Sequence, residues 1–231
     1  ISIAEGFGQL LSTQIAAMEL EEQKKLATSM ELKALQSQIN PHFLFNIINT
    51  MASLVRTDPD KARIMLREFA VFYRQTLENS SDLIPLSREI EQTVRYLSLE
   101  QARFGEDRLA VEVDVDEDIR AMSVPAFMVQ PLVENSVKHA MPAEGKLTIR
   151  ITGEMDGDDV YLHVSDDGIG MSEEAVRTIM NPKSQTGLGI AVKNVNDRLR
   201  GYYGEEAYMK IESELGVGTS VTLYLYDCAH V

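Results

Sequence analysis

The sequence predicts an α+β protein in two parts: a helical hairpin that dimerises as a four-helix bundle, then an α/β sandwich with a mixed, largely antiparallel sheet. Two observations carry this. Residues 4–56 are helix formers with few breakers before Pro41, and Leu11, Met18, Leu32 and Ile39 fall on a seven-residue spacing that Lys25 interrupts. Beyond residue 83 the texture changes to short runs alternating apolar and polar residues, interleaved with helical periodicity, and the last two such runs are adjacent.

A long helix cannot bury an apolar stripe by itself, so the first element needs a partner. Thr57-Asp58-Pro59-Asp60 reads as a turn with Asp58 or Asp60 as the next cap. A second helix follows over 59–78, where Ile64, Met65, Phe69, Phe72, Tyr73 and Leu77 recur at three- and four-residue steps and make one face of a hairpin. Two hairpins would close a four-helix dimer; a monomeric hairpin packed on its own second domain is the alternative. Asn79-Ser80-Ser81-Asp82, a cluster of turn formers, is the expected domain boundary.

The second part opens with an amphipathic helix over 85–104, with Ser87 and Asp82 as candidate caps and Ile90, Val94, Leu97 and Leu99 on its apolar side. Strands are expected at 109–115, 147–152, 160–164, 208–212 and 220–226, and helices at 126–140, 173–180 and 188–201. Asp156-Gly157-Asp158-Asp159 reads as a hairpin turn.

Composition removes some functions. The chain has 231 residues, more than the usual single domain of about 100–150, and a net charge of −14 from 22 basic and 36 acidic residues. Such a surface repels nucleic-acid phosphates, so no nucleic acid is expected as a partner. The single cysteine, Cys228, cannot form an internal disulfide and fits a reducing compartment. No apolar run reaches the roughly 18 residues that span a bilayer. Because the chain opens on Ile1 rather than Met, it is expected to be a piece of a longer protein.

Gln36 to Asn46 holds the most distinctive residues of the first part. His42 follows Pro41 inside a helical run; proline offers no N–H to the carbonyl of Ser37 and crowds it, so the helix should bend there. Asn46 lies one turn beyond His42 on the same face, where its amide can reach whatever the imidazole holds. An interface histidine beside a helix boundary is the plainer reading.

Gln38-Ile39-Asn40-Pro41-His42-Phe43-Leu44-Phe45-Asn46 resembles the phospho-acceptor box of the LytS-like sensor histidine kinases. The resemblance implies that His42 accepts the γ-phosphate of ATP. Phe43 stands where commoner kinase families place an acidic residue, which leaves the proton acceptor for His42 unassigned.

Four short constellations sit in the second part. In Glu134-Asn135-Ser136-Val137-Lys138-His139, the residues Asn135, Lys138 and His139 share a helix face. An amide oxygen suits Mg²⁺ and a nearby lysine can meet phosphate charge; a solvated face with a Glu134–Lys138 pair is the alternative. In Asp166-Asp167-Gly168-Ile169-Gly170, at a strand end, a carboxylate can accept the exocyclic amine of adenine and the glycines let backbone pass close to a planar base. Thr186-Gly187-Leu188-Gly189 opens a helix and leaves N–H groups and a positive dipole end as a phosphate seat, with Asn181-Pro182-Lys183-Ser184-Gln185 upstream as a lid. Gly216-Val217-Gly218-Thr219 precedes the last strand and is otherwise a hairpin turn.

In this order the four resemble the ATP-binding fold of the GHKL superfamily (gyrase, Hsp90, histidine kinases and MutL), a Bergerat-type α/β sandwich. The resemblance covers about residues 30–231. It implies that Asn135 ligates Mg²⁺, that Asp166 reads adenine with Thr219 supporting the contact, that Gly168 and Gly170 line the base, and that Thr186, Gly187, Leu188 and Gly189 hold phosphates beside Lys138 and His139. Asp167 stands where many relatives carry asparagine, with little loss expected. The implied domains are 1–30, a signalling helix closing an upstream sensory domain; 31–82, the dimerisation and phosphotransfer hairpin; and 83–231, the catalytic ATP-binding domain.

The expected function is ATP-dependent autophosphorylation on His42, with Asn46 and Glu134 as further catalytic candidates, in a homodimer that passes phosphate to an aspartate of a response-regulator receiver domain. The implied setting is the cytoplasmic portion of a membrane-anchored bacterial sensor, with contact to a membrane only through a missing N-terminal region. A GHKL-type ATPase used as a conformational clamp without phosphohistidine is the alternative, and a non-catalytic dimerisation scaffold is a third.

Overall fold

The computed structural model describes residues 41–78, 83–180 and 187–225. The seam of Leu11, Met18, Leu32 and Ile39, the boundary at Asn79-Ser80-Ser81-Asp82, the lid at 181–185, Thr186 and Cys228 lie outside the described residues. The chain divides into residues 1–46 and 47–231.

Helix α1 runs over Pro41–Thr57 and α2 over Pro59–Glu78. The interruption is a single residue. Asp58 caps α2, its Oδ1 accepting the Lys61 N–H at 3.0 Å, while its own N–H still donates to the Leu54 carbonyl at 2.8 Å. Met65 and Phe72 of α2 are buried, whereas Ile64 stays 62% exposed. Phe72 meets Tyr96 of α3 (Leu86–Phe104) with ring centroids 6.3 Å apart, and Arg95 pairs with Glu68. Part of the face expected to close a hairpin is therefore covered by the first helix beyond the expected boundary.

Ser87, one of the expected caps of α3, lies inside the helix and makes no side-chain cap, and Asp82, the other, lies outside the described residues. The first free N–H groups of α3 donate to distant carbonyls, Leu86 to Met122 at 2.8 Å and Ser87 to Arg120 at 2.9 Å. Two short strands hold this geometry, β1 (Leu83–Pro85) pairing antiparallel with β3 (Ser123–Pro125). Neither is legible in the sequence, because three-residue strands carry no periodicity.

The main sheet has the order β2 (Leu109–Val115), β4 (Leu147–Asp156), β5 (Asp159–Asp166), β7 (Gly218–Leu225), β6 (Tyr208–Glu214). Only the β2–β4 pair is parallel, so the expected mixed, largely antiparallel sheet is what forms. The β4–β5 hairpin turns at the expected residues, with Asp156 opposite Asp159 and Gly157 at φ 67°. Leu147, Ile149, Ile151, Leu162, Val164 and Leu223 alternate onto one buried face, with Leu97 and Leu99 of α3, Val133 of α4 (Gln130–His139) and Leu199 of α6 (Gly187–Tyr203) also buried. A short α5 (Glu173–Met180) lies between β5 and α6 in the chain. Among the described residues no helix is long and apolar enough to cross a membrane.

Helix α4 starts at Gln130, four residues later than its apolar pattern suggests. Phe127 sits at φ 61°, outside the helical range, and breaks the run there. Pro131 then occupies the first turn, where its missing N–H costs nothing.

Candidate nucleotide site

The four constellations of the second part meet at one pocket, because the sheet brings chain-distant pieces together. Asp166 ends β5, and Thr219, near the start of β7, is its register partner. Helix α4 crosses beside them. Its 3.6-residue repeat turns Leu132, Asn135, Ser136 and His139 toward the pocket, joined by Gly170, Met171, Ile179, Val192, Ile211 and Val221. The pocket opens to solvent, and its lining is mostly apolar with a few convergent polar groups, the make-up of a small-molecule site.

The Asp166 carboxylate is held in place from both sides. Its Oδ2 accepts the Ser136 hydroxyl at 2.7 Å and its Oδ1 accepts the Gly168 N–H at 3.1 Å. Burial raises its pKa above the ordinary 3.8, against the pull of these hydrogen bonds. Thr219 Oγ1 lies 2.8 Å from Ser213 Oγ, which also receives the Met171 N–H at 2.8 Å. Ser136 and Ser213 were not singled out in the sequence. Ser136 sits inside the quoted α4 run, but nothing local marks Ser213, whose place comes from β6 pairing with β7.

Among the described site residues, Asn135 is the one with an open polar need. Its Nδ2 is buried and has no hydrogen-bond partner among the described residues. An amide left so would ordinarily be selected against, and at a pocket wall it marks a place where a ligand completes the set. Lys138 is exposed and is not among the lining residues. His139 does line the pocket, and burial, then the charge of Lys138, lowers its pKa from 6.5. Glu134 is on the other side of α4. Its carboxylate accepts the Gln130 amide at 2.8 Å, and burial, then the nearby Glu100 carboxylate, raises its pKa. The helical repeat that turns Asn135 inward turns Glu134 toward α3.

The glycines prove to be required by the protein's own backbone. A Cβ at Gly170, which has φ 64°, would lie 1.9 Å from the Glu214 carbonyl oxygen, and one at Gly218, with φ 132°, 1.9 Å from that of Asp166. These contacts press the loop after β5 against the β6–β7 turn. Asp167 accepts the Thr148 N–H through Oδ1 at 2.6 Å. Asparagine carries an oxygen at the same place that could accept this N–H. Gly187 and Gly189 open α6, and Val192 from its second turn lines the pocket. Of Leu188 only the backbone is described.

In the first part, the Asn46 side-chain amide nitrogen lies 3.1 Å from His42 Nδ1. The amide expected one turn away therefore does reach the imidazole.

Asn135, Asp166, Thr219 and the glycine-lined turns fit a nucleotide: an unsatisfied amide, a carboxylate beside hydroxyls, and an apolar floor. Residues 30–109 match the family model for Histidine kinase, and residues 125–227 match that for Histidine kinase-, DNA gyrase B-, and HSP90-like ATPase. The Sensor protein LytS of Bacillus cereus is 41% identical over 229 residues, 96% of this chain and 38% of that protein. The Sensor histidine kinase/phosphatase LytS of Staphylococcus aureus is 38% identical over 217 residues, 91% of this chain and 37% of that protein. The chain thus spans well under half the length of these relatives. Among solved structures, the histidine kinase domain of the Erythrobacter litoralis EL346 blue-light activated histidine kinase gives a TM-score of 0.49 at 17% identity, covering 85% of this chain and 90% of that one.

Proposed function

Because the chain belongs to the LytS-like sensor histidine kinases, we propose that it is the kinase portion of such a sensor, which phosphorylates its own His42 from Mg·ATP and passes the phosphate to a response-regulator aspartate. The observation that carries the nucleotide half is the buried Asn135 Nδ2, a donor with no partner among the described residues in the same pocket as Asp166; it calls for an acceptor such as a phosphate oxygen and leaves Oδ1 of the same amide for the metal. Asp166 accepts the adenine amine, Thr219 supports it, and Asn135 Oδ1 turns to the metal. The magnesium ion, when bound by Asn135 and the substrate's own phosphates, supplies charge neutralisation at those phosphates. The N–H groups at the start of α6, around Gly187 and Gly189, receive phosphate oxygens, with Thr186 beside them. Glu134 acts as a positioning carboxylate on α4, since it does not line the pocket.

At the acceptor, the bond from the γ-phosphorus to the leaving ADP oxygen breaks while a phosphorus–nitrogen bond forms to His42 Nε2. The imidazole then gives up its Nδ1 proton to solvent. Asn46 is suited to hold that proton. The amide nitrogen faces Nδ1 at 3.1 Å; a half-turn of the Asn46 amide would set its oxygen there instead, where it would accept the Nδ1–H and leave Nε2 the unprotonated nitrogen that the attack needs. That contact takes the place of the acidic neighbour that Phe43 displaces.

The apolar residues left exposed on α1 and α2, with Val55 60%, Ile64 62% and Leu66 56% accessible, support a homodimer through these helices. We further assign the chain to the cytoplasmic side of a membrane-anchored sensor, by its likeness to the LytS proteins. Incubation with γ-labelled ATP and Mg²⁺ tests the whole reading: the parent should take up acid-labile, base-stable label, and His42→Gln should take up none while binding nucleotide as before. Retained acid-labile label in His42→Gln would place the acceptor elsewhere.

A further inference from the structure

The four peptide units that lead into α4 are gripped by two opposite charges from two other helices. Glu89 of α3 is 1% exposed, and its carboxylate faces the helix start. Its Oε2 accepts the Phe127 N–H at 2.9 Å, and its Oε1 accepts those of Val129 at 2.9 Å and Gln130 at 3.3 Å. From the other side Arg198 of α6 donates to the Ala126 carbonyl, and more distantly to that of Phe127 at 3.5 Å. Phe127 itself is the one non-glycine residue with positive φ among the described residues. Such a backbone persists only where its surroundings over-determine it.

A carboxylate with both oxygens filled by backbone N–H groups is a stronger anchor than an ordinary neutral cap, and it sits where the helix dipole favours negative charge. Neither residue lines the nucleotide pocket. What they fix is the point from which α4 departs, and Asn135 lies in the second turn from that point. The two grips also connect the pocket to its surroundings: α3 is the helix on which α2 packs through Phe72 and Glu68, and α6 is the helix that opens with Gly187 and Gly189.

We infer that Glu89 and Arg198 are positioning residues for the kinase reaction, holding residues 126–130 so that the Asn135 amide meets the metal of the bound nucleotide. This rests on the reading of Asn135 as the metal-facing residue. A purely structural cap would, when lost, lower stability and weaken all nucleotides alike. A positioning device should instead lower the preference for metal-bound over metal-free nucleotide.

The test is titration calorimetry of the whole 231-residue chain with ATP, in excess Mg²⁺ and in EDTA, on the parent, Glu89→Gln, Arg198→Ala, Arg198→Lys and Asn135→Ala. Gln keeps the shape of Glu89 but sets an NH₂ against N–H donors. Glu89→Gln and Arg198→Ala should cut the ratio of metal-bound to metal-free affinity by about tenfold, the effect of losing one charge-assisted hydrogen bond. Metal-free affinity should stay near the parent's, and Arg198→Lys should recover part of the loss. If Glu89→Gln proves unfolded by near-ultraviolet circular dichroism, the two Arg198 variants decide. A parental ratio in Arg198→Ala and in any folded Glu89→Gln, while Asn135→Ala loses it, overturns the positioning role. A parental ratio in Asn135→Ala removes the reading of Asn135 beneath it.

Discussion

Replacing Asn135 by leucine should make the empty protein more stable and useless to magnesium. Leucine has the same branched four-heavy-atom side chain as asparagine, with bulkier methyls in place of the planar amide, and the site opens onto a pocket, so overpacking is small. The Asn135 Nδ2 is buried with no partner among the described residues, and an unsatisfied group of this kind costs about 1–3 kcal/mol. Removing it and adding apolar contact should therefore raise stability by about 1–2 kcal/mol, or roughly 2–8 °C in Tm for a protein of this size. In the parent, saturating Mg·ATP at a hundred times its Kd should add about 2.7 kcal/mol. The leucine variant should lose the metal-dependent part of that gain. Differential scanning calorimetry with and without Mg·ATP reads both numbers. If Asn135→Leu is less stable than the parent without ligand, the amide is satisfied in the empty protein and the argument from its open hydrogen bond fails.

Three further outcomes follow from the same geometry. Asp166 has a raised pKa, so its folded state holds a proton at pH values where an ordinary carboxylate does not; on acidification from neutral pH, ADP affinity should begin to fall before pH reaches the usual 3.8, and Asp166→Asn should flatten that profile in fluorescence titrations. The sign is opposite for stability: ionised Asp166 disfavours the folded state at neutral pH, and protonation relieves this as pH falls through the raised value. Gly170→Ala should cost about 2–4 kcal/mol, from the left-handed backbone and from a Cβ placed 1.9 Å from the Glu214 oxygen, which has nowhere to move but with the β6–β7 turn; urea unfolding showing less than about 1 kcal/mol would mean the turn yields freely. Asn46→Ala should slow autophosphorylation by about tenfold or more without changing ATP affinity, as expected for loss of a tautomer-setting partner; an unchanged rate with lost dephosphorylation of the regulator would assign Asn46 to water orientation instead.

Local chemistry made much of the site legible. A strand that ends in Asp166-Asp167-Gly168 announces a carboxylate at a sheet edge, and glycine at 170 announces backbone that side chains cannot follow. Helical spacing put Asn135 and His139 on one face, and the structure keeps them there. The same spacing could not say which neighbour that face meets, and so Lys138 and Glu134 were grouped with the site although one is solvent-exposed and the other turns to α3. The cap of α3 failed for a related reason: Ser87 is a good local partner, but carbonyls of Met122 and Arg120 satisfy the same N–H groups from a paired strand segment.

The sequence by itself determined the longer helices and strands, the sheet's antiparallel character and the Pro41-His42 run with the amide of Asn46 within reach, because each depends on residues within a few positions of one another. Tertiary structure alone decided that β7 inserts between β5 and β6, which sets Thr219 opposite Asp166 and Ser213 beside it. It alone decided where α4 begins, since that start is imposed by a carboxylate on α3 and a guanidinium on α6 acting on a strained Phe127. Strand order and buried charge contacts are properties of which surfaces remain to be covered once the chain collapses. Local periodicity holds no information about that competition.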